Sequence, residues 1–585
     1  MYEVVVGIDF GSSRTGFAYS FFNKNKIMHG QIYGSIDSKV PTEIILDDNN
    51  CIVQFGATCS QYLNEKGLEN NHYFKDIKMN LYENKNFIIA KNSGKQFPLR
   101  LVIQKVLEKI KEIAIKEISQ SRPNLAKETN KIKWVVTVPA IWNERQKSIM
   151  MESCVKAGLI DSITDKSLFF ALEPEAASLY CSINKEVDQN YFKEGEYYIV
   201  CDLGGGTGDI VAHLVGSNNY INEIYPSCGG NYGSNEIDKQ IFKDIIFKLF
   251  NCQDFNTFYT KYKYTNNDSE DEDENEKAQL FKEWTELERE IKEFKESVTI
   301  EKIKNKEKQT LTLSLFKQIF DEDTNINDLV DEYNNNINNV DLHLRAKKNK
   351  KKWLIEFPYK IIYYYMKEQA SAICKIINNI NSKEKIKTLI FVGGYCSNEV
   401  IINLIKRGVN NVTIYLRPSN PCLAIMDGAV LFGIQPSTIN VRKAKYTIGI
   451  NMNKAWNEKI HGGKGKKYQG EFTGTWYCEG CFSKFITINQ SLKYGEEISH
   501  ISYPRYKDQN GFSLQFYKTK KTDPIFVFED GIEKIGECSL EIGNEFEEFE
   551  DKKITITMKF GGTFIDVIAI HQKSGRLVKT TLTFD

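Results

Sequence analysis

Two short stretches, far apart in the chain, share one physical design that narrows the fold more than any other feature. The first is Val4-Val5-Val6-Gly7-Ile8-Asp9-Phe10-Gly11-Ser12-Ser13, and the second is Tyr198-Ile199-Val200-Cys201-Asp202-Leu203-Gly204-Gly205-Gly206-Thr207-Gly208-Asp209. Each opens with a β-branched apolar run, which reads as a buried strand. Each then sets an aspartate at the strand end and a Gly/Ser/Thr turn after it. Apolar residues resume at once, over Phe17 to Phe22 and Ile210 to Val215, so each turn reads as a hairpin between two strands. Glycine lets such a turn curl until successive amide N–H groups point at one anion. The aspartate suits the waters of a bound Mg²⁺, an ion that keeps several of them. One turn of this kind is equally well a tight hairpin and nothing more. Two copies point to a duplicated domain gripping one polyphosphate from both sides. The usual competitors are absent. Gly462-Gly463-Lys464-Gly465-Lys466 lacks the spacing and final Ser/Thr of a P-loop, and no G-x-G-x-x-G follows a strand and opens a helix.

A chain of 585 residues is too long for one core and implies several domains. Its 77 basic and 77 acidic residues balance, which gives no electrostatic case for nucleic acid or a membrane surface. No apolar run reaches the roughly 18–20 residues of a membrane span. The first residues run straight into a strand and read as leaving no room for a signal peptide, so the expectation is a cytoplasmic or nuclear protein. Thirteen scattered cysteines form no secreted disulfide framework. Cys478-Glu479-Gly480-Cys481 is a lone C-x-x-C, with His461 the nearest further ligand. A metal or redox role competes there with two ordinary thiols in a loop.

Leu101 to Ile118 has the apolar stripe of an amphipathic helix. Lys133 to Pro139 reads as a buried strand, and Asn143 as the cap of a helix running to Ala157 and Gly158. Asn266 to Glu276 is acidic, without apolar periodicity, and reads as an insertion. Lys347 to Lys352 is a lysine run, either a solvated face or an import signal. Tyr359 to Asn379 reads as a long helix and Lys387 to Val392 as a strand. From about Val441 the pattern turns to short alternating strands with Gly/Asn/Asp turns, the pattern of a β-sandwich-like module.

The two loops resemble the phosphate loops of the actin, sugar-kinase and 70-kDa heat-shock protein superfamily. Three further segments narrow the likeness. Val135-Val136-Thr137-Val138-Pro139-Ala140-Ile141-Trp142-Asn143 leading into Ala157-Gly158-Leu159, then Leu172-Glu173-Pro174-Glu175-Ala176-Ala177, then Phe391-Val392-Gly393-Gly394 are similar to heat-shock segments in the same order. Asp427 to Gly433 and Phe485 to Ser491, with Gln435-Pro436-Ser437-Thr438 in place of an acidic-leucine linker, make the chain most like the divergent type 12 branch. The resemblance implies an α/β protein. A two-lobed actin-like ATPase domain, a duplicated ribonuclease-H-like fold, is followed by a C-terminal all-β module. Lobe I is expected over 1–200, lobe II over 201–435, and the module over 441–585 without a helical lid.

What the resemblance implies for the site is specific. ATP or ADP with Mg²⁺ lies between the lobes, on Gly11, Ser12 and Ser13 from one side and Gly204, Gly205, Gly206 and Thr207 from the other. Asp9 and Asp202 hold the metal through water, Lys78 neutralises the γ-phosphate, and Glu173 and Thr207 orient the attacking water. Gly229, Gly230, Gly393, Gly394 and Tyr395 approach the nucleotide, and Glu288 and Lys292 reach the adenosine from a Glu/Lys-rich helix. For Glu288 and Lys292 ordinary surface pairs are the alternative reading. Tyr395 and Ser397 stand where the family carries Ser and Arg, and Glu175 where it carries Thr. Three functions follow: a chaperone-like ATPase whose β module binds a protein client, an ATP-binding switch or scaffold with one protein partner, or, less favoured by the heat-shock segments, a small-molecule kinase.

Overall fold

The computed structural model describes residues 2–582 other than 23, 25, 37, 67–70, 164, 185–186, 266–273, 321–322, 348–351, 385 and 544. Most of the acidic insertion, and residues 348–351 of the lysine run, therefore lie outside the described residues.

Lobe I is built on β1 (Val4–Phe10), β2 (Arg14–Phe21), β3 (Met28–His29), β4 (Ile132–Val138) and β5 (Leu168–Leu172), arranged β5-β4-β1-β2-β3. Lobe II is built on β6 (Tyr197–Leu203), β7 (Gly208–Val215), β8 (Ile221–Gly230), β9 (Thr388–Val392) and β10 (Ile414–Leu416), arranged β10-β9-β6-β7-β8. The order is the same in both lobes, and so is the sense. The three hairpin strands pair antiparallel, and the other two pair parallel. Each lobe thus carries one copy of a ribonuclease-H-like sheet, and the two Gly-rich turns fall at matching places.

All seven residues of β1 are buried, as expected of a sheet covered on both faces. Val4, Val6, Ile8 and Phe10 face a core shared with α1 (Leu99–Ser121), whose Val102, Val106, Ile110, Ala114 and Ile118 form the expected stripe. Val5 faces the other way, into a core shared with Ala176 and Ala429. Those two residues sit on α3 (Glu173–Ile183) and α7 (Ala424–Ile434), which cross each other at the centre of the molecule. Between β4 and β5 lies α2 (Glu144–Lys156), where Asn143 and Gln146 form a reciprocal capping box. Lobe II adds α4 (Asn235–Ile241), α5 (Glu274–Glu296) and α6 (Lys360–Glu384).

The C-terminal module packs a five-stranded sheet (466–469, 476–486, 447–455, 511–519, 532–541) against a four-stranded one (497–502, 554–559, 566–571, 577–581) around its own apolar core. The strand that leads into it, β11 (Ile439–Lys443), adds to lobe II instead, parallel to β8. A second piece of the module, β12 (Ser491–Lys493), pairs with β11. Lobe II and the module therefore share one continuous sheet across the expected boundary.

Candidate functional site

The two hairpin loops meet face to face. A Cβ added at Gly205 would stand 1.9 Å from Ser13 Oγ, and one at Gly206 would stand 2.4 Å from Ser12 Oγ and 2.2 Å from Met79 Sδ. Only glycine permits that approach. The Ser13 hydroxyl also donates across the cleft to Asn235 Oδ1 of α4, at 3.0 Å.

Four buried carboxylates and two buried lysines line the cleft behind the loops. Lys78, on the short helix Ile77–Tyr82, donates to Glu173 at the start of α3, and both side chains are buried. Burial pushes the Glu173 carboxyl well above the usual range even against Lys78, with Asp9 and Asp209 adding to the rise. Asp202 is raised for the same first reason, burial, and then by Glu173 and Asp209. Its Oδ1 is buried with no hydrogen-bond partner among the described residues. Asp209 stands directly opposite Asp202 in the β6–β7 hairpin, takes the Ile141 N–H at 3.1 Å and is hydrogen-bonded by Thr207. Gly393, with φ at +86°, lies against Asp202, and a Cβ there would come 2.5 Å from Asp202 Oδ1.

Asp9 has no such free oxygen. Its Oδ2 accepts from the Lys39 ammonium at 2.5 Å, and its Oδ1 from the Thr137 hydroxyl at 3.2 Å. A divalent ion held through water by Asp9 and Asp202 needs room for a donating water at each carboxylate. Asp202 keeps an oxygen with no partner among the described residues, whereas Asp9 Oδ2 already faces an ammonium, a cation standing where a metal-bound water would sit, so the two aspartates do not offer a hydrated Mg²⁺ equally open sites.

The structure brings Asp9, Ser12, Ser13, Lys78, Glu173, Asp202, Gly204, Gly205, Gly206, Thr207 and Gly393 to one cleft. Other candidates sit differently. Gly229 and Gly230 end β8 rather than forming a turn. They pair with Asp209 and Gly208, and a Cβ at Gly229 would stand 2.1 Å from the Gly208 carbonyl oxygen. The turn comes later, and Gly233 is the glycine packed on the Gly205–Gly206 backbone. Tyr395 points into the lobe II core, where its hydroxyl donates to Gln369 Oε1 at 2.9 Å, and Gln369 Nε2 donates to the Gly233 carbonyl at 3.1 Å. Glu288 on α5 reaches lobe I and pairs with Lys75, making a clasp between the lobes. Lys292 lies near Glu43 and Asp238, and Lys295, one turn on, donates to Asp238 Oδ2 at 2.6 Å. Lys39, Thr137, Asp209 and Gly233 are the residues that sequence reasoning passed over. Thr137 and Asp209 lie inside the motif segments, but, as with Lys39, cross-strand register is what brings their side chains to the cleft. Gly233 could have been found by its place just ahead of α4.

Glu175 lies two residues beyond Glu173, on the side of α3 that meets the C-terminal module. Its carboxylate takes a fork of two bonds from Arg442 of β11, each at 2.6 Å, and Arg442 also donates to the Gly561 carbonyl at 2.6 Å. Further module contacts reach lobe I. Lys445 donates to the Ala140 carbonyl, and the Thr563 hydroxyl donates to that of Phe170 at 2.5 Å. Elsewhere in the module His461, Cys478 and Cys481 are buried with ligand atoms within 4.8 Å of one another. A bulge in the strand 476–486 turns both sulfurs to one side. His461 Nδ1 accepts the Asn457 N–H at 3.0 Å, which leaves its ring proton on Nε2, facing Cys481 Sγ at 3.9 Å.

Comparison with known proteins gives the same outline. The family model described as Hsp70 protein matches residues 37–254. Heat shock 70 kDa protein 12B of Homo sapiens is 24% identical, across 100% of this chain and 91% of its own length. Heat shock 70 kDa protein 12A of Homo sapiens is 24% identical across 99% and 91%. A chaperone protein HscA homolog of Rickettsia bellii (strain RML369-C) is 27% identical, but across only 43% of this chain and 39% of its own. Fold and matches together make the chain similar to proteins of the 70-kDa heat-shock class, with an actin-like α/β domain followed by a β-rich module. The likeness to the divergent type 12 proteins runs from end to end of the chain. Among the described residues no helix is long and apolar enough to cross a membrane.

Proposed function

We propose that the chain binds ATP or ADP in the interlobe cleft and converts nucleotide state into protein binding by its β module. The observation that carries this reading is the pair of symmetry-related Gly/Ser/Thr loops facing each other above the buried Lys78–Glu173 pair. In this reading the amides of Gly11, Ser12 and Ser13, with those of Gly204 to Thr207, take the β- and γ-phosphates. The Gly393–Gly394 backbone bounds the nucleoside, while Glu288 holds the two lobes together through Lys75. Lys78 meets the γ-phosphate, which frees Glu173 to hold the attacking water with Thr207. Glu175, on the same helix turn as Glu173, carries the change to Arg442 and the module. The exposed Trp476, Ile501 and Phe528 of the module give a protein partner apolar surface to meet.

Single-turnover hydrolysis of γ-labelled ATP, run beside binding of the same nucleotide, tests this. Bound nucleotide with phosphate release, and a peptide affinity that differs between ATP and ADP, is the expected result. A second reading, an ATP-binding switch with little hydrolysis, is favoured by one observation: Glu173 and Asp9 are both already tied to lysines. Binding without phosphate release selects it.

A further inference from the structure

We propose that Lys39 is a resident cation standing where metal-bound water is expected at Asp9, so that the cleft takes its nucleoside polyphosphate without a divalent ion. This rests on the nucleotide-binding reading above. It begins with strand register. In lobe I, Asp9 of β1 stands opposite Gly16 of β2, and Gly16 stands opposite Lys39 of the short strand Lys39–Pro41. Residues in one such row point to the same face of the sheet. The middle position has no side chain, and a Cβ there would lie 2.9 Å from Lys39 Cγ. The lysine stem therefore runs over Gly16, and its ammonium reaches Asp9 Oδ2 at 2.5 Å and the Cys422 carbonyl oxygen at 2.6 Å.

The matching row in lobe II reads Asp202, Asp209, Gly229. One lobe thus presents two carboxylates, while the other presents a carboxylate already joined to a cation. The lysine is also held in place. Its strand is pinned to the first loop by the Thr42 N–H on the Ser13 carbonyl at 3.0 Å and by the Thr42 hydroxyl on the Gly11 carbonyl at 2.7 Å. An ammonium is a compact, strongly hydrated charge, and its water is replaced here by a carboxylate and a carbonyl. With Lys78 it sets two fixed positive charges against the incoming phosphates, a task otherwise met by a metal ion.

The test is calorimetric titration of the full chain with ATP, once in EDTA and once in excess Mg²⁺. The wild type is expected to bind with affinities within about threefold of each other. Lys39→Met is expected to lose at least about tenfold in EDTA and to regain it with Mg²⁺, because Asp9 is then free to hold the ion's waters. Since Lys39→Met leaves Asp9 buried and unpaired, the double variant Asp9→Asn/Lys39→Met removes both charges at once. It is expected to lose affinity in EDTA without rescue by Mg²⁺. Wild-type binding at least about tenfold weaker in EDTA than in Mg²⁺ overturns this inference and leaves the nucleotide reading standing. Unchanged EDTA affinity in the folded variants does the same. No ATP binding in either medium overturns both.

Discussion

Lys78 and Glu173 come from segments far apart in the chain and meet in a dry cleft, so neither charge is at ease without the other. Lys78→Met is expected to lower the single-turnover rate of ATP hydrolysis by roughly 10²–10³, the usual loss when one preorganised charge is taken from a developing anion. A rate equal to the wild type's removes Lys78 from the mechanism. A second residue makes a prediction about acid. His213 of β7 is fully buried beside Ser178, with Glu175 and Arg442 near, and burial brings its imidazole down from 6.5 to about 4. The folded state holds the ring neutral while the unfolded chain protonates it near 6.5, so between 6.5 and about 4 the unfolded state binds the extra proton. Stability is therefore full above that window and declines as pH falls through it, by up to roughly 3 kcal/mol. Thermal midpoints measured across the window should fall more steeply for the wild type than for His213→Asn. Parallel curves would show that His213 does not titrate this way. At this scale, what the sequence made legible was what adjacent residues write together. Asp9 with its loop and Asp202 with its loop are each contiguous, and their turn chemistry is local. Lys39 owes its place to which strand lies beside which, and no neighbouring residue records that.

The crossing of α3 and α7 shows how a packing constraint can reverse a helix preference. In an exposed helix, glycine to alanine gains about 1 kcal/mol. At Gly428 of α7 a Cβ would stand 1.8 Å from the Ala176 carbonyl oxygen and 2.2 Å from its carbon, both backbone atoms. Gly428→Ala is expected to cost at least about 3 kcal/mol, because neither helix can yield by a side-chain rotation. A thermal midpoint at or above the wild type's would mean that the helices pass at a wider spacing. The elements themselves were largely readable. The strand runs, the α1 stripe and the Asn143 cap all fall where residue periodicity and capping chemistry put them. The Gly229–Gly230 pair went astray for a physical reason. Expected beside the nucleotide, they end β8 instead, and at Gly229 a side chain would strike the Gly208 carbonyl of β7. The β11 strand was similarly hidden. Ile439-Asn440-Val441-Arg442-Lys443 looks like the opening of the module, and only its partner, β8, assigns it to lobe II.

Across the whole molecule, the buried Glu175–Arg442 fork is, among the described residues, the one ion pair that links the helix carrying Glu173 to the module. Arg442→Met leaves the Glu175 carboxylate dry and alone, at a cost of roughly 3–5 kcal/mol. Hydrogen exchange should then speed up along 439–443 and 491–493, and replacing Glu175 by leucine as well should restore most of the protection. Unchanged exchange in Arg442→Met would show that the shared sheet holds without the fork. That sheet has a mechanical meaning. Where two domains are joined by a slack tether, they drift apart by degrees, and any intermediate distance is available. Here the tether is itself a strand, zipped to β8 on one side and to β12 on the other. Any separation of the module would require a row of backbone bonds to open together, so it would behave as a latch with a threshold rather than as a hinge with a range.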